Sequence, residues 1–221
     1  MGKRLAYIHT VAGLTATFKA LSDELLPGID LFHIVDESLL QNTIRANQLT
    51  PQTMRRLLRL VISAEEAGAD VVMVTCSSVG PAVEASRPFV GIPVLRVDEP
   101  MAELAVQSGE TIGVAATLPT TLKPTADLIS NVAARQGKSI RVLSKLCEGA
   151  FQAVVSGDTA RHDQLVSAGL QELAPQVDVV VLAQASMARV IENLPAETRQ
   201  VPILSSPRLA VERLAQLIPA L

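Results

Sequence analysis

Two cysteines, Cys76 and Cys147, are the residues of this sequence that most directly suggest chemistry. Cys76 follows an apolar run and precedes Ser77 and Ser78, shortly before a predicted helix. The pKa of a thiol at the start of a helix is expected to be lowered, because the free N–H groups there stabilise a thiolate. The alternative is a small buried apolar residue, which is common for free cysteine. The junction beside two hydroxyls favours a reactive thiol.

Cys147 lies in a different context, before another predicted helix, and we interpret it as a structural thiol with a catalytic role as the alternative. Two isolated cysteines without a CxxC motif argue against a disulfide scaffold and favour a reducing cytoplasm. His9, His33 and His162 are far apart in the sequence, and no HExxH motif occurs. The sequence therefore gives no support for a metal site.

Hydroxyl side chains follow several predicted strands, where they are candidates to bind a carboxylate or, alternatively, to cap helices. These candidates are Thr10, Ser77, Ser78, Thr117, Thr120, Thr121 and Ser186. His9 ends the first predicted strand, and we expect it to face the ligand as an acid/base or carboxylate donor, with a structural role as the alternative. Asp36 and Glu37 end the second strand and either bind a substrate ammonium or begin a helix.

Composition excludes several classes of function. The net charge of −3 and the 2% aromatic content argue against a nucleic-acid partner. No apolar run reaches the roughly 18 residues that a membrane span requires. With 48% hydrophobic and 19% charged residues, the chain is typical of a globular protein. We expect a cytoplasmic protein without a membrane partner, and a homo-oligomer is left open.

Short β-branched runs alternate with longer helical patterns along the whole chain, which predicts parallel sheets in an α/β fold. The predicted strands are 5–9, 30–35, 71–75, 92–97, 111–115, 140–143, 177–182 and 201–204. The predicted helices are 15–25, 50–67, 99–108, 121–136, 161–173 and 207–218.

The second half of the sequence repeats the first. A separation of 108 residues relates both Asp70 to Asp178 and Cys76 to Gln184, and prolines recur near the following strands. This duplication predicts two similar lobes, each with a mainly parallel sheet flanked by helices, related by a pseudo-two-fold axis. We expect residues 1–97 with 207–221 to form the first lobe and residues 98–206 the second. Because ligands bind beyond the carboxyl ends of parallel strands, we expect an active-site cleft between the lobes.

Two segments carry a resemblance to a known family. Val74-Thr-Cys76-Ser-Ser-Val-Gly80, after an apolar strand, resembles the first cysteine motif of the aspartate/glutamate racemase superfamily. Residues 180–187 lie where that family carries its second cysteine motif. The superfamily includes amino-acid racemases, hydantoin racemases, maleate isomerase and arylmalonate decarboxylase. The resemblance implies an enzyme that acts on a small carboxylate without metal or pyridoxal phosphate, and in the racemases two thiols flank the substrate α-carbon.

This sequence departs from the family pattern because Gln184 stands where the second cysteine is expected. A carboxamide does not exchange protons usefully near neutral pH. We therefore expect a cofactor-independent racemase- or isomerase-like enzyme with Cys76 as acid/base or nucleophile. Gln184 and His9 complete the expected catalytic set, and Ala185 joins the hydroxyl residues in the expected substrate-binding set. The alternatives are a single-thiol decarboxylase or lyase and a non-catalytic protein that binds a small carboxylate.

Overall fold

Eight strands and nine α-helices alternate along residues 2–220, the part of the chain that the computed structural model describes. The strands are β1 (Arg4–His9), β2 (Asp30–Val35), β3 (Val71–Val74), β4 (Val94–Arg96), β5 (Thr111–Ala116), β6 (Arg141–Leu146), β7 (Val179–Leu182) and β8 (Ile203–Ser205). The helices are α1 (Leu14–Leu25), α2 (Glu37–Ala46), α3 (Pro51–Glu66), α4 (Gly80–Ser86), α5 (Glu99–Ser108), α6 (Pro119–Arg135), α7 (Ala150–Val155), α8 (Thr159–Leu173) and α9 (Ser206–Leu217).

The strands form two four-stranded sheets with the same topology. The first has the order β2-β1-β3-β4 and the second the order β6-β5-β7-β8, and every pairing is parallel. The chain divides into two compact units, one of Met1–Glu99 with Pro207–Leu221 and one of Pro100–Ser206. The predicted α/β class and the two similar halves are confirmed.

The repeated aspartates explain part of the duplication. In the first unit the Asp70 carboxylate accepts a hydrogen bond from the Arg4 backbone N–H at 2.8 Å. In the second unit the Asp178 carboxylate accepts from the Thr111 backbone N–H, also at 2.8 Å. Each aspartate thus fixes the start of its unit's first strand beside the third. The D-V-V repeat reflects the same local structure built twice.

Helices cover both faces of each sheet, which accounts for the continuous apolar strands. All four residues of β3 and all four of β7 are buried, as expected for parallel strands packed on two sides. In the first unit, Phe18 of α1 and Val211 of α9 belong to one core cluster. The other face packs on α3, whose Leu57 and Val61 are fully buried.

One predicted helix start is confirmed and one strand end differs from the prediction. Asp36 accepts a hydrogen bond from the Ser38 backbone N–H at 3.1 Å and caps α2, so the helix-start interpretation of Asp36 is confirmed. β6 continues to Leu146, three residues beyond the predicted end, because its pairing with β5 extends to Ala116. Within residues 2–220, no helix combines the length and hydropathy that a membrane crossing requires.

Candidate active site

Cys76 follows β3 directly, in extended conformation, and a single 3-10 turn (Ser77–Val79) joins it to α4. The turn is closed by the Val79 backbone N–H, which donates to the Cys76 carbonyl at 3.4 Å. Ser77 and Ser78 are both buried, whereas Cys76 keeps partial contact with solvent. The predicted strand–thiol–helix junction is therefore present.

The expected lowering of the Cys76 pKa is wrong. Burial raises the pKa of this thiol above its usual value. The Thr10 hydroxyl, the backbone N–H groups of Ser78 and Val79 and the Ser78 hydroxyl all oppose that rise without cancelling it. Desolvation of the thiol is the largest of these influences on its pKa. Cys76 is therefore a protonated thiol at neutral pH.

A buried ion pair supports the segment that carries Cys76. The guanidinium of Arg96, only 3% exposed, binds the fully buried Asp98 carboxylate through two hydrogen bonds of 2.9 and 2.8 Å. It also donates to Glu84 on α4 at 2.5 Å. A Cβ atom at Gly80 would lie 2.3 Å from the Arg96 Cζ atom, so a side chain there would have to displace the buried guanidinium. The ion pair thus fixes the start of α4 against the end of β4.

His9 is placed differently from the prediction. Its imidazole is fully buried rather than facing a ligand. The Nδ1 atom lies 2.8 Å from the Thr75 hydroxyl, and Nε2 lies 2.9 Å from Nδ1 of His33. Burial and the neighbouring His33 lower the pKa of His9 to about 4. The ring therefore has no nitrogen left for a substrate, and its proposed direct acid/base role stays an untested prediction.

His33 is a residue of this region that sequence reasoning missed. Tyr7 and His33 are paired in register across β1 and β2, and their rings stack with centroids 5.6 Å apart. Tyr7 also stacks on His9 at 5.7 Å. The only available signal was the spacing of Tyr7 and His9 by two residues, which places both side chains on one face of β1.

In the second unit, Gln184 occupies the position that matches Cys76. It follows β7 in extended conformation and precedes a 3-10 helix, Ala185–Asn193. Its Oε1 atom accepts hydrogen bonds from the Thr117 backbone N–H at 2.6 Å and from the Thr117 hydroxyl at 3.0 Å. A backbone N–H can only donate, so the amide oxygen must be the atom that faces Thr117. The NH2 group then points away from Thr117.

The remaining hydroxyl candidates are placed as follows. Thr120 and Thr121 lie in the first turn of α6, and both are buried. The Thr120 hydroxyl oxygen has no hydrogen-bond partner among the described residues. Thr10 follows β1, and its hydroxyl oxygen is also buried. Within residues 2–220 this oxygen has no partner at hydrogen-bonding distance and angle, although it interacts electrostatically with the Cys76 thiol. Ser186 is exposed, and Ala185 is partly exposed.

Within each unit, a threonine lies beside the residue that follows the third strand. In the first unit, Thr10 follows β1 and contributes to the environment of Cys76, which follows the neighbouring strand β3. In the second, Thr117 follows β5 and binds Gln184, which follows the neighbouring β7. Each unit therefore presents a threonine beside its key residue at the carboxyl edge of the sheet.

Cys147 follows β6 at the same edge of the second sheet but is only 3% exposed. A Cβ atom at Gly169 of α8 would lie 2.6 Å from the Cys147 sulfur, so the thiol packs tightly against that helix. Burial raises the pKa of Cys147 to about 11. This environment supports the structural interpretation of Cys147. Among residues 2–220 no cluster of three or more histidine, cysteine or acidic side chains is arranged to hold a metal ion.

Comparisons with known proteins show what this fold resembles. A glutamate racemase from Bacillus anthracis matches with a TM-score of 0.73 and 19% identity, covering 99% of this chain and 82% of that one. Glutamate racemase from Francisella tularensis, solved with D-glutamate, matches with a TM-score of 0.74 and 16% identity over 99% and 82% of the two chains. Allantoin racemase from Klebsiella pneumoniae gives a TM-score of 0.69 and 19% identity, over 99% and 88%.

These identities establish the shared fold. A search of the curated proteins gives no match to this sequence. The family model described as Asp/Glu/Hydantoin racemase matches residues 8–214, which is nearly the whole chain and includes both Cys76 and Gln184. The chain therefore belongs to the Asp/Glu/hydantoin racemase family of racemase-type enzymes.

Proposed function

We propose that this protein is a cofactor-independent, racemase- or isomerase-like enzyme that acts on a small carboxylate, with Cys76 as its proton-transferring thiol. The observation that carries the proposal is the state of Gln184. Its oxygen is held by two hydrogen bonds from Thr117, so the atoms it presents to a ligand are the two N–H donors. In this role the Gln184 amide binds a substrate oxygen and exchanges no proton with the substrate.

The protonation state of Cys76 fits a role as general acid. Because burial raises its pKa, the thiol holds its proton at neutral pH. In the proposed exchange the minor thiolate form of Cys76 takes a proton from the substrate α-carbon, so a C–H bond breaks and an S–H bond forms. In the return step the S–H bond breaks, a C–H bond forms at the enolate carbon, and the thiolate remains. The Ser78 and Val79 N–H groups stabilise that thiolate. A proton returned by the substrate or by water then restores the thiol.

We propose that hydroxyl and amide donors bind the substrate oxygens. Thr120 carries a buried hydroxyl oxygen without a hydrogen-bond partner in the described part of the chain. Buried polar groups are nearly always bonded, so this hydroxyl is suited to bind a carboxylate oxygen. The Thr10 hydroxyl, which interacts with the Cys76 thiol, is proposed to lie beside the substrate. Ser77, Ser78 and Thr117 belong to the same proposed binding set, together with the backbone of Ala185 and Ser186.

A single-thiol decarboxylase or lyase is the second candidate. It is favoured by the combination of a protonated thiol at Cys76 and a carboxamide at the matching position. After a C–C bond breaks with loss of carbon dioxide, the electron pair remains on the substrate carbon as an enolate. Protonation of that enolate needs one acid on one face, which Cys76 supplies.

Alkylation of Cys76 tests the proposed function. In a Cys147→Ala background, iodoacetamide should abolish turnover of a carboxylate substrate, and a bound small carboxylate such as malonate should slow the alkylation. Cys76→Ala should lose activity, whereas the matched control Cys147→Ala should retain it. Turnover that survives in Cys76→Ala would refute the role of the thiol. Carboxylate binding without turnover of any amino or hydroxy acid would favour the non-catalytic binding protein.

A further inference from the structure

The hydrogen bonds around His9 can run in either of two directions. The Thr75 hydroxyl lies 3.3 Å from the Ile8 carbonyl oxygen and 2.8 Å from Nδ1 of His9. When the hydroxyl donates its single proton to Ile8, Nδ1 of His9 donates to the hydroxyl, and Nδ1 of His33, 2.9 Å from Nε2 of His9, donates to that nitrogen. When the hydroxyl donates to Nδ1 instead, Nε2–H of His9 donates to His33.

The environment keeps both imidazoles neutral. Burial and the charge of Lys19 on α1 lower the pKa of His33, and burial together with His33 lowers the pKa of His9. Tyr7 stacks on both rings, and its hydroxyl is itself held by Ser22 at 2.8 Å. Phe18 of α1 packs at an angle against Tyr7 and His9. The two rings are thus fixed in orientation as well as in charge.

This chain of hydrogen bonds ends next to the proposed catalytic thiol. Thr75 is the residue before Cys76, and the Thr75 backbone N–H donates to Ile8 on the neighbouring strand at 3.0 Å. His9 is likewise the residue before Thr10, whose hydroxyl favours the Cys76 thiolate. The imidazole pair therefore connects the two strand ends that carry Thr10 and Cys76. No substrate contact is required of either ring.

We propose that His33 is a positioning residue, which holds His9 as the Nδ1–H tautomer and thereby anchors Thr75 and the Cys76 thiol at the end of β3. The inference rests on the proposed function for its catalytic meaning, since it assigns His33 to the support of the same thiol. It does not require a known substrate for its test. Free imidazole in water favours the Nε2–H tautomer, so two neighbouring Nδ1–H tautomers are a distinctive signature.

The first measurement is the tautomer of each histidine by 15N–1H NMR of the intact protein at neutral pH. Both His9 and His33 should carry their proton on Nδ1. A proton on Nε2 of His9 would overturn the proposal directly, because the hydrogen bonds would then run in the opposite direction. This result needs no variant and no enzymatic activity.

The second measurement is the rate of Cys76 alkylation by iodoacetamide, in a Cys147→Ala background, for three variants. His33→Leu removes the donor to His9 and should change the rate by about fivefold, as expected for loss of one buried hydrogen bond. His33→Asn keeps an N–H donor near the Nδ1 position and should restore both the rate and the His9 tautomer. Tyr7→Phe removes a buried hydroxyl of the same cluster but keeps the stacked ring, and it should leave the rate unchanged.

Equal alkylation rates in His33→Leu and Tyr7→Phe, or a failure of His33→Asn to restore the rate, would overturn the proposal. If His33→Leu does not fold, the tautomers of the unmodified protein and of His33→Asn still decide it. Neither measurement uses turnover, so loss of the enzymatic proposal and loss of this one are separate results. If the protein is active but its His33 variants are alkylated at the unmodified rate, only the positioning role of His33 is refuted.

Discussion

Replacing Gln184 with glutamate tests how this residue is used. The change keeps the length and shape of the side chain, and a carboxylate oxygen can still accept both hydrogen bonds from Thr117. It removes the two N–H donors and adds a negative charge. Because the Thr117 N–H and the first turn of α6 favour an anion, the glutamate is expected to be ionised and the fold retained.

The magnitude follows from the interactions lost and gained. A hydrogen bond to a charged group contributes about 1.5–3 kcal/mol, and about 1.4 kcal/mol corresponds to a tenfold change in affinity. Loss of the amide donor alone therefore costs a bound carboxylate roughly 10- to 100-fold. Two like charges about 4 Å apart near a protein surface repel by ~4 kcal/mol. We expect Gln184→Glu to weaken carboxylate binding by at least about 100-fold.

Isothermal titration with malonate and D-glutamate at physiological ionic strength measures the effect. The matched control is Gln152→Glu, which makes the same charge change at an exposed position of α7 in the same unit. That control should bind as the unmodified protein does, and both variants should melt within a few degrees of it. A folded Gln184→Glu protein with unchanged carboxylate affinity would refute the assignment of the Gln184 amide as an oxygen-binding donor.

Three further predictions follow from particular contacts. The pKa of His9 is about 4 in the folded protein against 6.5 when unfolded, so the unfolded chain binds more protons between these values. The contribution of His9 to stability should therefore be complete above pH 6.5 and fall by up to roughly 3 kcal/mol towards pH 4. Urea unfolding should show a steeper pH slope for wild type than for His9→Gln, in which the lowered pKa of His33 still contributes. Gly80→Ala, whose Cβ would lie 2.3 Å from the Arg96 Cζ atom, should cost about 1–3 kcal/mol by thermal denaturation, whereas Gly13→Ala, with no atom within 4 Å, should cost little. Cys147, with its pKa raised to about 11, should resist iodoacetamide in the native protein and react only on unfolding, and rapid native labelling would contradict its buried placement.

The sequence predicted most of the fold because local signals repeat. The alternation of strands and helices identified every strand, and the helix signals identified the longer helices. Thr50 caps α3 by accepting from the Thr53 backbone N–H at 3.3 Å, as its position before Pro51 predicted. The 108-residue repeat corresponds to two sheets of identical strand order. These features depend on neighbouring residues, which a sequence displays directly.

The thiol's acidity was beyond the reach of sequence reasoning. A helix start suggested a lowered pKa for Cys76, whereas burial in the folded structure raises the pKa because desolvation outweighs the nearby donors. The donors that oppose this rise include Thr10, which is 66 positions from Cys76 in the chain. The pair of histidines was missed for the same reason, because 24 residues separate His9 from His33 and only the parallel register brings them together.

The Gln184–Thr117 contact also joins residues 67 positions apart. The sequence predicted that Gln184 stands where the family pattern has a thiol, but it gave no indication of which end of the amide faces Thr117. That choice follows from one backbone N–H, which must donate to the amide oxygen. This hydrogen bond is the basis for proposing Gln184 as an oxygen-binding group.

Deuterium incorporation is the measurement that tests the central claim most directly. Wild type, Cys76→Ala and Gln184→Cys are incubated in D2O with amino acids, hydroxy acids and α-substituted malonates, and the α-carbon is followed by proton NMR together with chiral analysis. A single proton-delivering thiol predicts deuterium delivered to one face by wild type, none by Cys76→Ala, and exchange of both enantiomers only in Gln184→Cys. Efficient racemisation of both enantiomers by wild type, or exchange that persists in Cys76→Ala, would contradict the account.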